Sequence, residues 1–333
     1  MDSRLTSEQL EMRRALREVL TDACPPSVVR AQWNPDAPSV VTTKLWQRLR
    51  ELGLFGVLAS QEIGGMGGNE VDLAVLLAEC GRFAVPGPLI ETMAVGVPAA
   101  AELPGETVAD VLSGALVVTA APAGAGWFAE ADTAALFVQV SGGELAMAEA
   151  EDVRVGARRE TIDRSVRHFE VTGGAWRAIA GSDGERAGNR ATLAVAAQLI
   201  GLADRMISMT VDYVQVRAQF GKAIGTQQAV KHHLATALIA LEHARPVVYR
   251  AAYSVAFAEP NARRDVSFAK VYAHRSAALA ARVALQCHGA IGYSWEHDLN
   301  LWMKRVWALA PAWGTVAAHE AVVAAAVLDG APS

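Results

Sequence analysis

The hydrophobic pattern changes period twice along this chain, and that double switch limits the possible folds more than any other feature. Apolar residues recur at helical spacing through Leu5, Leu10, Met12, Leu16, Val19 and Leu20, so residues 5–22 predict a helix. A proline-rich gap at 25–38 follows. A second helix is expected over TKLWQRLRELG, closed by Gly53, because glycine accepts the left-handed conformation in which helices end. QEIGGMGG (61–68) reads as a glycine loop, and VDLAVLLAECGRF (71–83) resumes the helical period. From about residue 115 the chain turns β-leaning: ALVVTAAP, AALFVQVS, DVRVGA and RHFEVTGG are short runs between Gly-rich turns. From about 186 the helical period returns, in segments near 188–217, 226–258, 262–287 and 315–328.

The expected architecture is mainly α with a small β-domain: helices over 1–112, a reduced β-domain over 113–182, and a helical bundle over 183–333. A parallel sheet or a helical middle domain would contradict it. Composition agrees, since 52% hydrophobic residues with only 6% aromatics suit closely packed, Ala-rich helices. A net charge of −5 gives no basic field for nucleic acid or anionic lipid. Cys24, Cys80 and Cys287 are widely spaced without a CxxC pair, which argues against a disulfide framework or zinc site and fits a reducing compartment. The first residues, MDSRLTSEQLEMRR, are charged and amphipathic rather than signal-like. The apolar stretch ATLAVAAQLIGLA (191–203) is too short and too polar-flanked to span a bilayer. A cytoplasmic protein is expected.

Two stretches suggest chemistry. In VRAQFGKAIGTQQAVKHHLA (216–235) a helix is expected to end near Arg217, two glycines turn the chain, and a new helix opens near Thr226 and Gln227. A guanidinium beside a helix start suits a phosphate or pyrophosphate, and an ordinary inter-helix turn fits the same residues. In QCHGAIGYSWEHDLNLWMKR (286–305), Gly289 and Gly292 follow a long helical segment as capping glycines do and expose backbone amides. His288 reads as a packed or capping histidine. Lys231, His232 and His233 form a polar cluster whose adjacent histidines face different ways, so no metal site is expected.

These stretches carry a resemblance. LWQRLRELGLFGVLASQEIGGMGG, RAQFGKAIGTQQAVKHHLA and QCHGAIGYSWEHDLNLWMKR, followed by Trp313-Gly314-Thr315, resemble in order the signatures of the acyl-CoA dehydrogenases. That family oxidises the α–β bond of acyl thioesters with a flavin. The CHGAIGYSWEHDL wording is most similar to its branch for steroid side-chain breakdown. The resemblance implies N-terminal helices, a middle β-domain and a C-terminal four-helix bundle. It also implies FAD contacts from Arg217, Gln219, Phe220, Ile224 and Gln227, then Gln286, Gly289 and Ala290, with Thr315 near the cofactor. In the family those residues reach an FAD held mainly by the neighbouring subunit.

Departures from the family pattern matter as much. The usual base is a Glu immediately before Gly-Thr, and here that position is Trp313. Some branches place the base on the first bundle helix, where ungapped counting from Arg217 reaches Ala191. Neither side chain can accept a proton from carbon. Between residues 115 and 182, neither a segment like MTEPxxGSD nor a tryptophan-containing strand to hold the flavin ring is expected. The resemblance therefore implies a base-lacking subunit that shares FAD with a base-bearing partner, as in an α2β2 heterotetramer, with an acyl-CoA substrate and electron-transfer flavoprotein as acceptor. Two other readings stay open: a self-sufficient enzyme whose displaced base is Glu185 or Asp183, and a non-enzymatic assembly protein on the same scaffold.

Overall fold

The computed structural model describes residues 5–100 and 105–328. The first helix, α1 (Ser7–Ala23), starts at a capping box: the Gln9 amide donates to the Thr6 hydroxyl oxygen and the Thr6 amide to the Gln9 side-chain oxygen. Leu16 and Leu20 are its buried stripe. The proline-rich gap holds a short helix that the pattern did not predict, α2 (Pro26–Ala31), because Pro26 sits at the first helical position, where its fixed φ is favourable. Helix α3 (Lys44–Glu51) buries Leu45, Trp46 and Leu49 and is followed by Gly53 at φ +74°, as expected. The glycine loop leads into α4 (Glu70–Arg82), capped by Asn69. A π-helical stretch (Glu91–Gly96), α5 (Val97–Ala100) and α6 (Gly105–Leu112) complete the N-terminal helices.

The middle region is two small sheets packed face to face. One has the order β1 (Val118–Pro122), β3 (Leu136–Val140), β4 (Leu145–Glu149), β7 (Arg177–Ala178). The other has the order β2 (Trp127–Ala129), β6 (His168–Gly173), β5 (Val153–Arg159). All pairings are antiparallel except β1–β3, which is parallel and was not expected. The reason is topological: β2 departs to the second sheet, so the chain crosses over before β3 returns beside β1. Phe128 and Phe137 meet edge to face at 5.6 Å in the small core between the sheets.

Helices α7 (Gly184–Val216), α8 (Gln228–Ala256) and α9 (Ala262–His288) pack on one another. The link from α7 to α8 contains the short hairpin β8 (Ala218–Gln219) and β9 (Lys222–Ala223). Helix α10 (Leu299–Leu309), missed by the sequence segmentation, buries Leu299, Leu301, Trp302, Met303 and Val306 against α7 and α9. Helix α11 (Val316–Leu328) packs on α9 but buries none of its own residues. By length and composition α7 could cross a bilayer, yet 72% of its apolar window is buried within the protein, which accounts for that composition.

Helix α4 crosses α7 at two glycines, and the close approach explains both. A Cβ on Gly201 would lie 1.8 Å from the Ala78 carbonyl oxygen, and one on Gly81 would lie 2.2 Å from that of Gln198. This crossing joins the N-terminal helices and the bundle into one continuous core.

Candidate functional site

The turn after α10 brings the two positions that lack a base together. Lys270, fully buried on α9, donates to the carbonyls of Leu309 and Ala312 at 2.8 Å each and so fixes the end of α10. Two acceptors satisfy the two N–H groups of a neutral amine, and burial brings Lys270 down to about 7. Trp313 follows at φ +55°, a left-handed conformation uncommon for a residue with a side chain. Its carbonyl accepts from Thr192 Oγ1 at 3.3 Å and His319 Nε2 at 3.1 Å, which hold that conformation. Gly314 must be glycine: its φ is +109° and a Cβ would lie 2.5 Å from His319 Nε2. Thr192 adjoins Ala191, which is buried in α7. Positions 313 and 191 thus meet at one place, and neither offers a carboxylate.

A carboxyl nevertheless stands there. Glu91, the half-buried first residue of the π-helical stretch, lies beside the Trp313 side chain. Burial pushes the Glu91 carboxyl up to about 7, against the lowering effects of backbone hydrogen bonds, Trp313 and Arg305. Sequence reasoning missed Glu91 because it lies in an apolar run, PLIETMAVGVP, far from any motif. The single charged residue in that run was the available signal.

Glu91 lines a cavity of about 570 Å³ where the N-terminal helices, the β-region and α10 meet. Its wall includes Trp127, Gln198, Trp307 and Leu309. Trp127 opens β2, so the expectation that residues 115–182 contain no tryptophan-bearing strand is corrected. The short β-runs had hidden it, since Trp127 follows a Gly-rich turn rather than sitting inside a β-leaning run. Beside the cavity, Arg305 pairs with Asp163 and donates to Ser165 Oγ (2.7 Å) and the Val85 carbonyl (2.9 Å). Both members of the pair are buried, so the charges in this wall are internally compensated. Asp183 and Glu185 do not line this cavity. Both are exposed at the start of α7, where the Asp183 side chain accepts from the Arg186 amide.

The remaining sequence-selected residues lie elsewhere. Helix α7 ends at Arg217, and the next helix opens just after Gln227, as expected. Arg217, Gln219 and Phe220 are exposed, Phe220 at the tip of the β8–β9 hairpin with φ +54°. Ile224 donates its amide to the Arg217 carbonyl, and Ile224 and Gln227 are half-buried. The end of α9 lies beside the end of α7, because His288 stacks on Tyr213 with ring centroids 4.2 Å apart. Gln286, Gly289 and Ala290 are exposed there, Gly289 at φ +66°. His288 is a packed residue: Nδ1 donates to the Ala284 carbonyl, and burial lowers its proton affinity. Its Nε2 is buried without a partner among the described residues.

This end of the bundle fits a flavin nucleotide in chemistry: an exposed guanidinium without an ion pair among the described residues, amide side chains and glycine-exposed backbone. Thr315 is not part of it. Thr315 caps α11 through the Ala318 amide, and Thr192, which holds the Trp313 turn, lies about 30 Å along α7 from Tyr213 at 1.5 Å per residue.

Residues 6–103 match the N-terminal domain of acyl-CoA dehydrogenases and residues 186–328 match their C-terminal domain. The chain belongs to the acyl-CoA dehydrogenase family. It is 28% identical over 302 residues to the acyl-CoA dehydrogenase IpdE2 of Mycolicibacterium smegmatis, covering 90% of this chain and 93% of that protein. The Mycobacterium tuberculosis IpdE2 is 29% identical, with 90% of each chain covered. Among solved structures, the ChsE4-ChsE5 complex of M. tuberculosis superposes with a TM-score of 0.86 at 23% identity, covering 100% of both chains. The helical–β–helical arrangement is thus the family's fold, and the family's members are oxidoreductases acting on CH–CH bonds.

Proposed function

We propose that this chain is the base-lacking subunit of a heteromeric FAD-dependent acyl-CoA dehydrogenase and completes the FAD site of a base-bearing partner. The observation that carries the reading is the separation of two features. The catalytic corner holds Trp313 and Ala191, while the nucleotide-compatible groups Arg217, Gln219, Phe220, Gln286, Gly289 and Ala290 face outward at the far end of the bundle. Groups facing outward serve a ligand held by another chain. The unburied, apolar α11 and the 92% exposed Phe220 also favour a partner chain. Flavin, when bound there, supplies the hydride acceptor; this chain's residues hold its phosphates and exclude water.

The relatives support the choice of partner and substrate. One similar structure is a ChsE4-ChsE5 complex and another is described as a steroid ACAD, so a second, homologous subunit in an α2β2 assembly and a steroid side-chain thioester are the partner and substrate proposed. Electron-transfer flavoprotein is the proposed acceptor and the cytoplasm the proposed compartment.

The test is flavin content of the co-purified complex. A charge-assisted contact is worth about 1.5–3 kcal/mol, so Arg217→Ala should weaken flavin retention about tenfold or more. Arg217→Lys should recover only part, because a point charge cannot reproduce the bidentate fork. Unchanged flavin in Arg217→Ala would favour the assembly-protein reading.

A further inference from the structure

The segment that carries Gly289 and Ala290 has little to hold it from within. Of residues 289–298 only Gly292 is buried, and the Trp295 side chain is 55% exposed. Besides the packing of His297 edge-on against His288, its side-chain anchors come from α2 and α10. Arg30, near the end of α2, donates through Nη1 to the Trp295 carbonyl and through Nη2 to Asp298 Oδ1 at 2.6 Å. Trp33, just past α2, meets Trp295 edge to face with ring centroids 5.1 Å apart. The Lys304 ammonium on α10 stands over both indoles, 4.6 Å from the Trp33 centroid and 4.3 Å from that of Trp295. Asn300 of α10 adds a bond from its side-chain amide to the Ser294 carbonyl at 3.0 Å.

We propose that Arg30 and Lys304 are positioning residues: with Trp33 and Trp295 they clamp residues 289–298 and so present the Gly289 and Ala290 backbone in the conformation that meets FAD. The inference rests on the proposal that this end of the bundle completes a partner's FAD site. The Arg30 fork bonds the segment at two points, a main-chain carbonyl and a carboxylate, so it fixes how the chain closes on itself. The Lys304 ammonium faces both indoles and fixes the Trp295 ring against Trp33. A backbone that must meet a ligand loses affinity in proportion to the time it spends in other conformations. The N-terminal helices, through α2, thus set the geometry of a turn that belongs to the bundle.

Such a clamp contributes little to the stability of the whole fold. The Arg30 and Asp298 side chains are 31% and 39% exposed, and ion pairs between partly solvated groups stabilise a protein weakly. Loosening them therefore frees the segment locally, while the buried faces of α9 and α10 on either side of it stay packed. That difference between local order and global stability is what separates a positioning role from a structural one.

The test uses the co-purified complex, with FAD as the probe and amide hydrogen exchange read by mass spectrometry. Arg30→Met and Lys304→Met should speed exchange across residues 289–298, where the Ser294 and His297 amides donate to the Ile291 and Ser294 carbonyls. Exchange in the middle of α9 should not change. The FAD dissociation constant should rise about three- to tenfold in each variant, the factor by which the competent conformation is depleted. Thermal midpoints should stay within about 2 °C of the wild type. Lys304→Arg, which keeps a cation over the two indoles, should restore most of the flavin affinity, and Lys304→Gln should not. Unchanged exchange at 289–298 in both methionine variants would overturn the clamp, and so would faster exchange throughout the chain with a large fall in midpoint. Arg217→Ala, measured alongside, separates the two proposals. If it loses flavin while the methionine variants exchange faster at 289–298 and keep theirs, the positioning role fails and the shared FAD site stands. If Arg217→Ala and the methionine variants all keep flavin, the shared site fails and the positioning role with it.

Discussion

Replacing Arg305 by Met removes a side chain that ties α10, the β-region and the N-terminal helices together beside the cavity. The guanidinium is 3% exposed and reaches Asp163 and Ser165 on the β-region and Val85 on the helical side. Met fills most of the aliphatic volume, so the loss is chiefly electrostatic. Asp163 would keep its bonds from the Ser165 amide (3.0 Å) and hydroxyl (2.7 Å) but lose its counter-charge while only 2% exposed. Breaking one partner of a buried ion pair costs about 3–5 kcal/mol. At about 2.1 cal/mol/K per residue, unfolding 333 residues carries an entropy near 0.7 kcal/mol/K, so the midpoint should fall by about 4–7 °C. Differential scanning calorimetry reads this directly. In the double variant Asp163→Asn with Arg305→Met no unpaired charge remains, and at least about half of the loss should return. A single-variant shift under about 1 °C, or a double variant costing the sum of the singles, would refute the account of a compensated buried pair.

Two further outcomes follow from single contacts. Lys270 is protonated near 10.5 when unfolded and near 7 when folded, so the unfolded chain binds more protons between those values; stability therefore rises with pH across that window and is level below it. Lys270→Met should remove the slope in thermal midpoints measured from about pH 7 to about pH 10, and a slope that survived would belong to another group. Gly201→Ala would place a methyl 1.8 Å from the Ala78 carbonyl oxygen and force α4 off α7, costing about 1–3 kcal/mol or more in urea unfolding. A loss under about 0.5 kcal/mol would mean the helices separate freely.

What the sequence made legible was local. The periods over 5–22 and 71–83 found α1 and α4, whose exact starts are set by the Thr6 and Asn69 caps, and Gly53 and Gly289 mark helix ends because their φ values are positive. The switch from period 3.6 to period 2 near residue 115 reflects which faces are buried, which each strand carries by itself. The parallel pairing of β1 with β3 was not legible, since it depends on β2 joining another sheet. Helix α10 was hidden by its buried polar residues: Asn300 and Arg305 interrupt the stripe, yet both are inside and hydrogen-bonded. Glu91 was illegible for the same reason in reverse. One charge in an apolar run shows its role only when Trp313, distant in sequence, is folded against it.

The length of α7 decides how these features can be used. Thr192 in its first half holds the Trp313 turn and Tyr213 near its end supports His288, so one rigid helix sets both the cavity corner and the outward-facing groups proposed to meet a nucleotide. A helix of 33 residues spans about 50 Å, too far for a side chain at one end to touch a ligand at the other. Under the proposed reading, a tryptophan at position 313 therefore leaves the far end of the bundle unaffected. Substitutions at the cavity should be read out at the cavity and those at Arg217 on flavin, with little cross-effect, because sites this far apart without shared partners add independently. The exception is the α4–α7 crossing at Gly81 and Gly201, which lies beside Gln198 in the cavity wall. Strain introduced there would move α7 as a body, so Gly201→Ala is the substitution expected to disturb both regions together.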